Sequence, residues 1–125
     1  MKPSCLVHIV DDEEPIRSSL SLLIECWGCR VRVYESGADL LAADLPGASD
    51  FVIVDVRMPG MGGLAAMDAL RARGCSAPVI IMTGHAEASL AEAALAKRAS
   101  AYLEKPFSSD DLQRAMRAVT PCCSW

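Results

Sequence analysis

Five polar side chains in this sequence stand where chemistry can be built, each at or just beyond the end of an apolar run. Asp11 and Asp12 follow Cys5-Leu6-Val7-His8-Ile9-Val10, and Asp55 follows Phe51-Val52-Ile53-Val54. Thr83 follows Pro78-Val79-Ile80-Ile81-Met82, and Lys105 lies just past Ala101-Tyr102-Leu103. Short apolar runs bounded by turn residues read as strands buried on both faces, as in a parallel sheet. The C-terminal ends of parallel strands share one edge, so side chains this far apart in sequence can converge on a single crevice.

The chemistry follows from the residue types. Crowded carboxylates repel by about 4 kcal/mol per pair at roughly 4 Å and an effective dielectric of about 20, so they either protonate or recruit a cation. An oxygen-only donor set of carboxylates, backbone carbonyl and water suits Mg²⁺ far better than zinc. A lysine and a threonine beside such a metal supply a positive point charge and a hydroxyl donor, which is what phosphoryl oxygens require. Asp55, the single carboxylate at the end of its strand, is the candidate acceptor for covalent aspartyl-phosphate chemistry. Each residue also has an ordinary explanation. Thr83 could be a helix N-cap, Lys105 a solvated loop charge, Asp11 and Asp12 first-turn acids, and Asp55 a turn residue. Five such coincidences at four strand ends are hard to sustain together.

The elements that must hold these residues are legible as patterns. Pro15 suits the first turn of a helix. Ile16, Leu20, Leu23, Ile24 and Trp27 then fall on one helical face, and Gly28 stops the run. Val31-Arg32-Val33-Tyr34 alternates, as an edge strand with one wetter face does. Ser36 and Asp39 resemble a capping box opening a short helix through Leu40, Leu41 and Leu45, ended by Pro46-Gly47. A further helix after Gly62-Gly63 carries Leu64, Met67 and Leu70 inward and ends at Gly74. An alanine-rich helix is expected over about 86–97. Ser108 and Asp111 cap a last helix that buries Leu112, Ala115, Met116 and Val119. Alternating strands and helices predict an α/β fold, a doubly wound five-stranded parallel sheet with five helices and right-handed crossovers.

At 125 residues and 52% hydrophobic composition, the chain is expected to be one domain spanning residues 1–125, with a core from about 5 to 119. A net charge of -4 gives no electrostatic invitation to nucleic acid or an anionic membrane. No apolar stretch approaches the roughly 20 residues of a membrane span, and the run ending before Asp11 is too short for a signal peptide. A cytoplasmic location is the default expectation. Six cysteines include Cys26-Trp27-Gly28-Cys29, with redox-motif spacing. Cys26 falls at a helix end, where the dipole opposes a lowered thiol pKa, and no second pair or nearby histidines complete a zinc set. The cysteines read as small apolar residues in a reducing compartment.

With these residues in place, the chain resembles the receiver domain of bacterial two-component response regulators over nearly its whole length. The matching motifs are Val10-Asp11-Asp12-Glu13, the stretch from Asp55 to Gly63, Met82-Thr83-Gly84-His85, and Tyr102-Leu103-Glu104-Lys105-Pro106-Phe107. The Thr-Gly-His and Glu-Lys-Pro-Phe forms are most similar to the nitrogen-fixation type of regulator. The resemblance implies a flavodoxin-like sheet of strand order 2-1-3-4-5. It implies a phosphoacceptor signalling module, not an enzyme acting on an external substrate, with Asp55 receiving a phosphoryl group from a sensor histidine kinase. Asp12, Asp55 and the backbone carbonyl of Arg57 would hold Mg²⁺ (or Mn²⁺), with Asp11 acting through its water. Lys105 would pair with the phosphoryl group and Thr83 would hydrogen-bond it, while Tyr102 would turn inward as Thr83 moves. Arg57 and His85 fall at positions that tune phosphate lifetime. The output surface would be the helix at 86–97, the fifth strand and the last helix, with a homodimer as one possible product.

Two departures from that pattern concern shape. Arg98 replaces a customary glycine before the fifth strand, and Gly62 replaces a polar helix cap, which predicts a start looser by up to roughly 1 kcal/mol. No linker or output domain is legible in these residues, so a stand-alone receiver and a receiver cut from a DNA-binding regulator both remain open. Other readings are an unphosphorylated pseudo-receiver that only binds proteins and a phosphoester hydrolase. The complete acid, Thr and Lys set weakens the first, and Arg57, where such hydrolases often place a second Asp, weakens the other.

Overall fold

The computed structural model describes residues 6–43, 45–47, 50–58, 60–84 and 100–119. Five parallel strands form one sheet: β1 (Leu6–Val10), β2 (Arg30–Tyr34), β3 (Phe51–Asp55), β4 (Val79–Thr83) and β5 (Ala101–Glu104). Their order is β2-β1-β3-β4-β5, so the chain reverses its winding direction after β2. Among the described residues the helices are α1 (Glu14–Cys26), α2 (Gly37–Ala42), α3 (Gly63–Ala72) and α4 (Ser109–Val119). The expected helix at 86–97 lies outside the described residues, as do His85, Arg98 and the Cys122-Cys123 pair.

Alternation along the central strands sends side chains to two cores. Val52 and Val54 pack with Leu40 and Leu41 of α2 and Met67 and Leu70 of α3. Phe51 and Ile53 face the other way, onto Leu20 and Ile24 of α1 and Leu112 and Met116 of α4. Every residue of β1, β3 and β4 is buried, which is why these strands read as unbroken apolar runs. β2 is the wet edge, and there the expected alternation is only half kept. Val31 packs against the α1 side and Tyr34 against the opposite core, but Val33 is 47% exposed.

The helix ends follow local chemistry. The Ser36 Oγ accepts the Asp39 N–H at 3.1 Å and starts α2. That helix is shorter than expected: it stops at Ala42, and Leu45 stands outside it and exposed. Ala43 is already extended, and Pro46 disfavours helical backbone at the residue before it. The start of α4 is a reciprocal capping box, with Asp111 N–H donating to Ser108 Oγ at 3.1 Å and Ser108 N–H to Asp111 Oδ2 at 3.2 Å. Of the described cysteines, Cys29 and Cys75 are buried in the two cores, whereas Cys26 is exposed.

His8 is an unexpected polar residue inside β1. It is buried, with Nδ1 at 3.1 Å from the Tyr34 hydroxyl, Nε2 at 3.1 Å from Asp50 Oδ2, and its ring stacked on Tyr34. Asp50 Oδ2 also accepts the Gly47 N–H at 2.9 Å, so one buried imidazole ties the edge strand to the turn that leads into β3.

Candidate functional site

Strand register decides where the site forms. Val10 of β1 is level with Val54 of β3, so the next residues, Asp11 and Asp55, emerge side by side. Asp55 is level with Met82 of β4, and Thr83 is level with Glu104 of β5. Lys105 therefore leaves β5 at the same edge, its N–H donating to the Thr83 carbonyl at 2.6 Å.

The side chains converge there. The Lys105 ammonium donates to Asp55 Oδ2 at 2.7 Å and to Asp11 Oδ2 at 3.1 Å, bridging residues from the two central strands. Carboxylate oxygens of Asp11, Asp12 and Asp55 all lie within 4.8 Å of one another. Asp11 and Asp55 are buried and Asp12 is exposed, so the cluster is open on one side. Asp55 Oδ1 accepts the Arg57 N–H at 2.9 Å, which bends the chain back over the strand end.

Asp11 is held at every polar atom. Its N–H donates to the Tyr34 carbonyl at 3.2 Å, and its Oδ1 accepts the Glu13 N–H at 2.9 Å. Its carbonyl accepts Arg17 Nη1 at 2.8 Å from the first turns of α1. Burial pushes the Asp11 carboxyl above its ordinary value, and Asp55 adds to that, against the Glu13 N–H and Lys105, which favour the anion. For Lys105 burial works to lower the pKa, but the hydrogen bonds and charges of Asp55 and Asp11 outweigh it and the pKa is raised. The ammonium thus stays charged where the acids need it.

Thr83 is buried at the end of β4, and its Oγ1 lies 3.5 Å from the Leu103 carbonyl. That is long for a hydroxyl hydrogen bond, so the hydroxyl is weakly committed. Tyr102, on β5, is 46% exposed.

Two glycines set how closely α3 approaches the site. A Cβ on Gly63 would lie 2.5 Å from the Asp55 carbonyl oxygen, and one on Gly62 would lie 2.8 Å from that of Val56. Gly62 is the N-cap without a side-chain cap, as its sequence suggested, but close packing is what requires a glycine there. The Gly63 N–H donates to the Val56 carbonyl at 3.1 Å, fastening the helix to the residue after Asp55.

The structure thus brings together Asp11, Asp12, Asp55, Thr83 and Lys105, and Arg57 meets Asp55 through its backbone N–H. His85 lies outside the described residues. Arg17 and His8 were not singled out from the sequence. A lone arginine on a helix looks solvated, although its place in the first turns after Asp11-Asp12 is a usable signal.

A doubly wound sheet with an acidic cluster, a threonine and a lysine along one edge defines an α/β class in which oxygen donors and one ammonium share a crevice. Comparison with known families resolves that class further. The family described as the response regulator receiver domain matches residues 7–117, and the chain belongs to it. It is 41% identical over 118 residues to the transcriptional regulatory protein FixJ of Azorhizobium caulinodans, covering 94% of this chain and 56% of that protein. It is 45% identical over 111 residues to the C4-dicarboxylate transport transcriptional regulatory protein DctR of Rhodobacter capsulatus, covering 87% and 56% respectively. The crystal structure of FixJ-N superposes with a TM-score of 0.88 at 30% identity, covering 100% of this chain and 99% of that one. The chain spans about half the length of the curated relatives it matches. No described helix is long and apolar enough to cross a membrane.

Proposed function

We propose that this chain is the phosphoacceptor switch of a two-component pathway, taking a phosphoryl group onto Asp55 from a phosphohistidine of a sensor histidine kinase. The observation that carries the reading is the Lys105 bridge to Asp55 and Asp11 beside the open Asp12 carboxylate. It leaves Asp55 as an acceptor with a fixed cation on one oxygen and a backbone N–H on the other.

The donor set fits Mg²⁺ or Mn²⁺, because every candidate ligand is an oxygen and the three carboxylates lie close enough to share one cation. Asp12 and Asp55, with the Arg57 carbonyl, would hold it, and Asp11 would act through a bound water. Bound there, the cation supplies charge neutralisation for an incoming phosphoryl group. The protein's own part is positional. Lys105 and the Arg57 N–H aim the Asp55 carboxylate, and the closed helix–strand packing at Gly63 keeps the acceptor at the crevice floor. Arg57 and His85 stand two residues beyond Asp55 and Thr83 and are assigned to tuning how long the phosphate survives.

A phosphoryl group adds about −1.5 to −2 of charge with new acceptor oxygens, and both the weakly committed Thr83 hydroxyl and Lys105 gain a partner. Thr83 and Tyr102 are then the switch pair, biasing β5 and α4 between two arrangements. Exposed Tyr102 at the β5–α4 surface supports an output there, including dimerisation. An apolar groove beside Lys105, lined by Ile16, Leu20, Leu23, Pro106 and Phe107, supports docking of the kinase next to the acceptor. Intact-mass measurement after incubation with acetyl phosphate and Mg²⁺ tests the reading: one phosphoryl adduct is expected, absent in Asp55→Asn. No adduct on the natural sequence, or an adduct that survives that substitution, would overturn it. A sedimentation profile unchanged by phosphoryl mimics would remove the dimer.

A further inference from the structure

We infer that Arg17 is a positioning residue for the cation site, acting through the peptide that joins Asp11 to Asp12; the inference rests on the phosphoacceptor reading above. Arg17 projects from the second turn of α1, and its Nη1 donates to the Asp11 carbonyl at 2.8 Å. Its side chain is only 13% exposed, whereas the Glu35 carboxylate 4.0 Å from its Nη2 is 77% exposed. The guanidinium is therefore committed inward, to a backbone oxygen, and the weak surface pair does not account for its burial.

That oxygen belongs to the peptide plane that sets the direction of the next residue. Asp11 is pinned independently by the Tyr34 carbonyl, the Glu13 N–H and Lys105, so its side chain has other anchors. Exposed Asp12 has none of these, and its approach to Asp55 depends on the orientation of the peptide before it. Arg17 fixes that orientation through its hydrogen bond to the Asp11 carbonyl. This local tie, six residues apart in sequence, also joins the turn after β1 to α1, so the two acids cannot swing outward as a unit without breaking a charge-assisted hydrogen bond.

A residue that holds metal ligands in place, without touching the metal, shows itself in affinity more than in chemistry. Residues of this kind change metal affinity or activity by about 10- to 100-fold when removed. Mg²⁺ titration by calorimetry on the full chain is the test. Arg17→Met keeps the apolar stem and removes the donor, and should weaken Mg²⁺ binding about tenfold. Arg17→Lys, which retains the charge and one donor, should recover most of the loss. Labelling by acetyl phosphate should slow in Arg17→Met at subsaturating Mg²⁺ and return to within about twofold of the natural sequence at saturation, as a defect in binding alone requires.

Arg17→Gln, whose shorter amide falls short of the Asp11 carbonyl, gives the same readout where the Met variant does not fold. Unchanged Mg²⁺ affinity in a folded Arg17→Met or Arg17→Gln chain overturns the inference, as does a labelling defect of equal size at all Mg²⁺ concentrations. If the natural sequence itself binds no Mg²⁺ at millimolar concentration, it is the phosphoacceptor reading that fails.

Discussion

Replacing Gly63 with alanine sets two well-understood effects against each other. By helix propensity alone, glycine to alanine near a helix start gains up to about 1 kcal/mol. Here the added Cβ would sit 2.5 Å from the Asp55 carbonyl oxygen and 3.0 Å from the Asp55 carbonyl carbon and the Val56 Cα. All three are backbone atoms, so no flexible side chain can give way. Either α3 retreats by roughly 0.5–1 Å, losing the Gly63 N–H bond to Val56, or the end of β3 moves. Overpacking of this kind costs about 1–3 kcal/mol, and with rigid neighbours the upper part of that range applies. Gly63→Ala should therefore be less stable by a net of about 1–2 kcal/mol, or roughly 4–8 °C in melting temperature for a domain of this size. The displaced strand end carries the acceptor, and a misplacement of about 1 Å at a reacting group can slow reaction about a hundredfold. Acetyl phosphate labelling at saturating Mg²⁺ should fall at least tenfold in a chain that is still folded. Ala65→Gly, at an exposed position in the same first turn, is the control: it loses up to about 1 kcal/mol of propensity and labels normally. A Gly63→Ala chain that melts no lower than the natural sequence and labels at the same rate would refute the close-packing argument.

Three further outcomes can be measured on the same chain. Mg²⁺ at about ten times its dissociation constant should stabilise the fold by about 1.4 kcal/mol, reversed by chelation and lost in Asp12→Ala, as read by thermal melts. Lys105→Met leaves two acids facing each other and should cost roughly 3 kcal/mol near neutral pH. Because the Lys105 pKa is raised, its contribution is fully present below the ordinary value of 10.5 and lost as pH climbs through the raised value. The gap in denaturant midpoint between Lys105→Met and the natural sequence should accordingly be constant from neutral pH up to about 10.5 and close above the raised value, and it should shrink in acid as the paired carboxylates protonate. Ser108→Ala breaks one half of the α4 capping box and should cost about 1 kcal/mol in urea unfolding without altering labelling.

How much of this was legible in the sequence depended on how local the cause was. The buried strands were legible because both faces of β1, β3 and β4 need apolar side chains, and the site followed because register brings their ends level. The capping boxes at Ser36 and Ser108 were legible because both partners lie within three residues. Leu45 was overextended into α2 because its apolar character suited the helical period, while the backbone restriction imposed by Pro46 carried no weight in that pattern. Gly62 looked like a missing cap, since the Val56 carbonyl that excludes a side chain comes from another element. His8 and Arg17 were passed over for the same reason: their partners, Tyr34 and Asp50 in one case and a backbone oxygen in the other, leave no periodic trace.

The Lys105 bridge has a consequence for how the protein is made. Its ammonium comes 94 residues after Asp11 and 50 after Asp55. During synthesis all five strands of the sheet emerge before the residue that neutralises their acidic edge. A chain still lacking Lys105 would carry Asp11 and Asp55 as facing anions at the end of an otherwise assembled apolar sheet, which favours delay over premature closure.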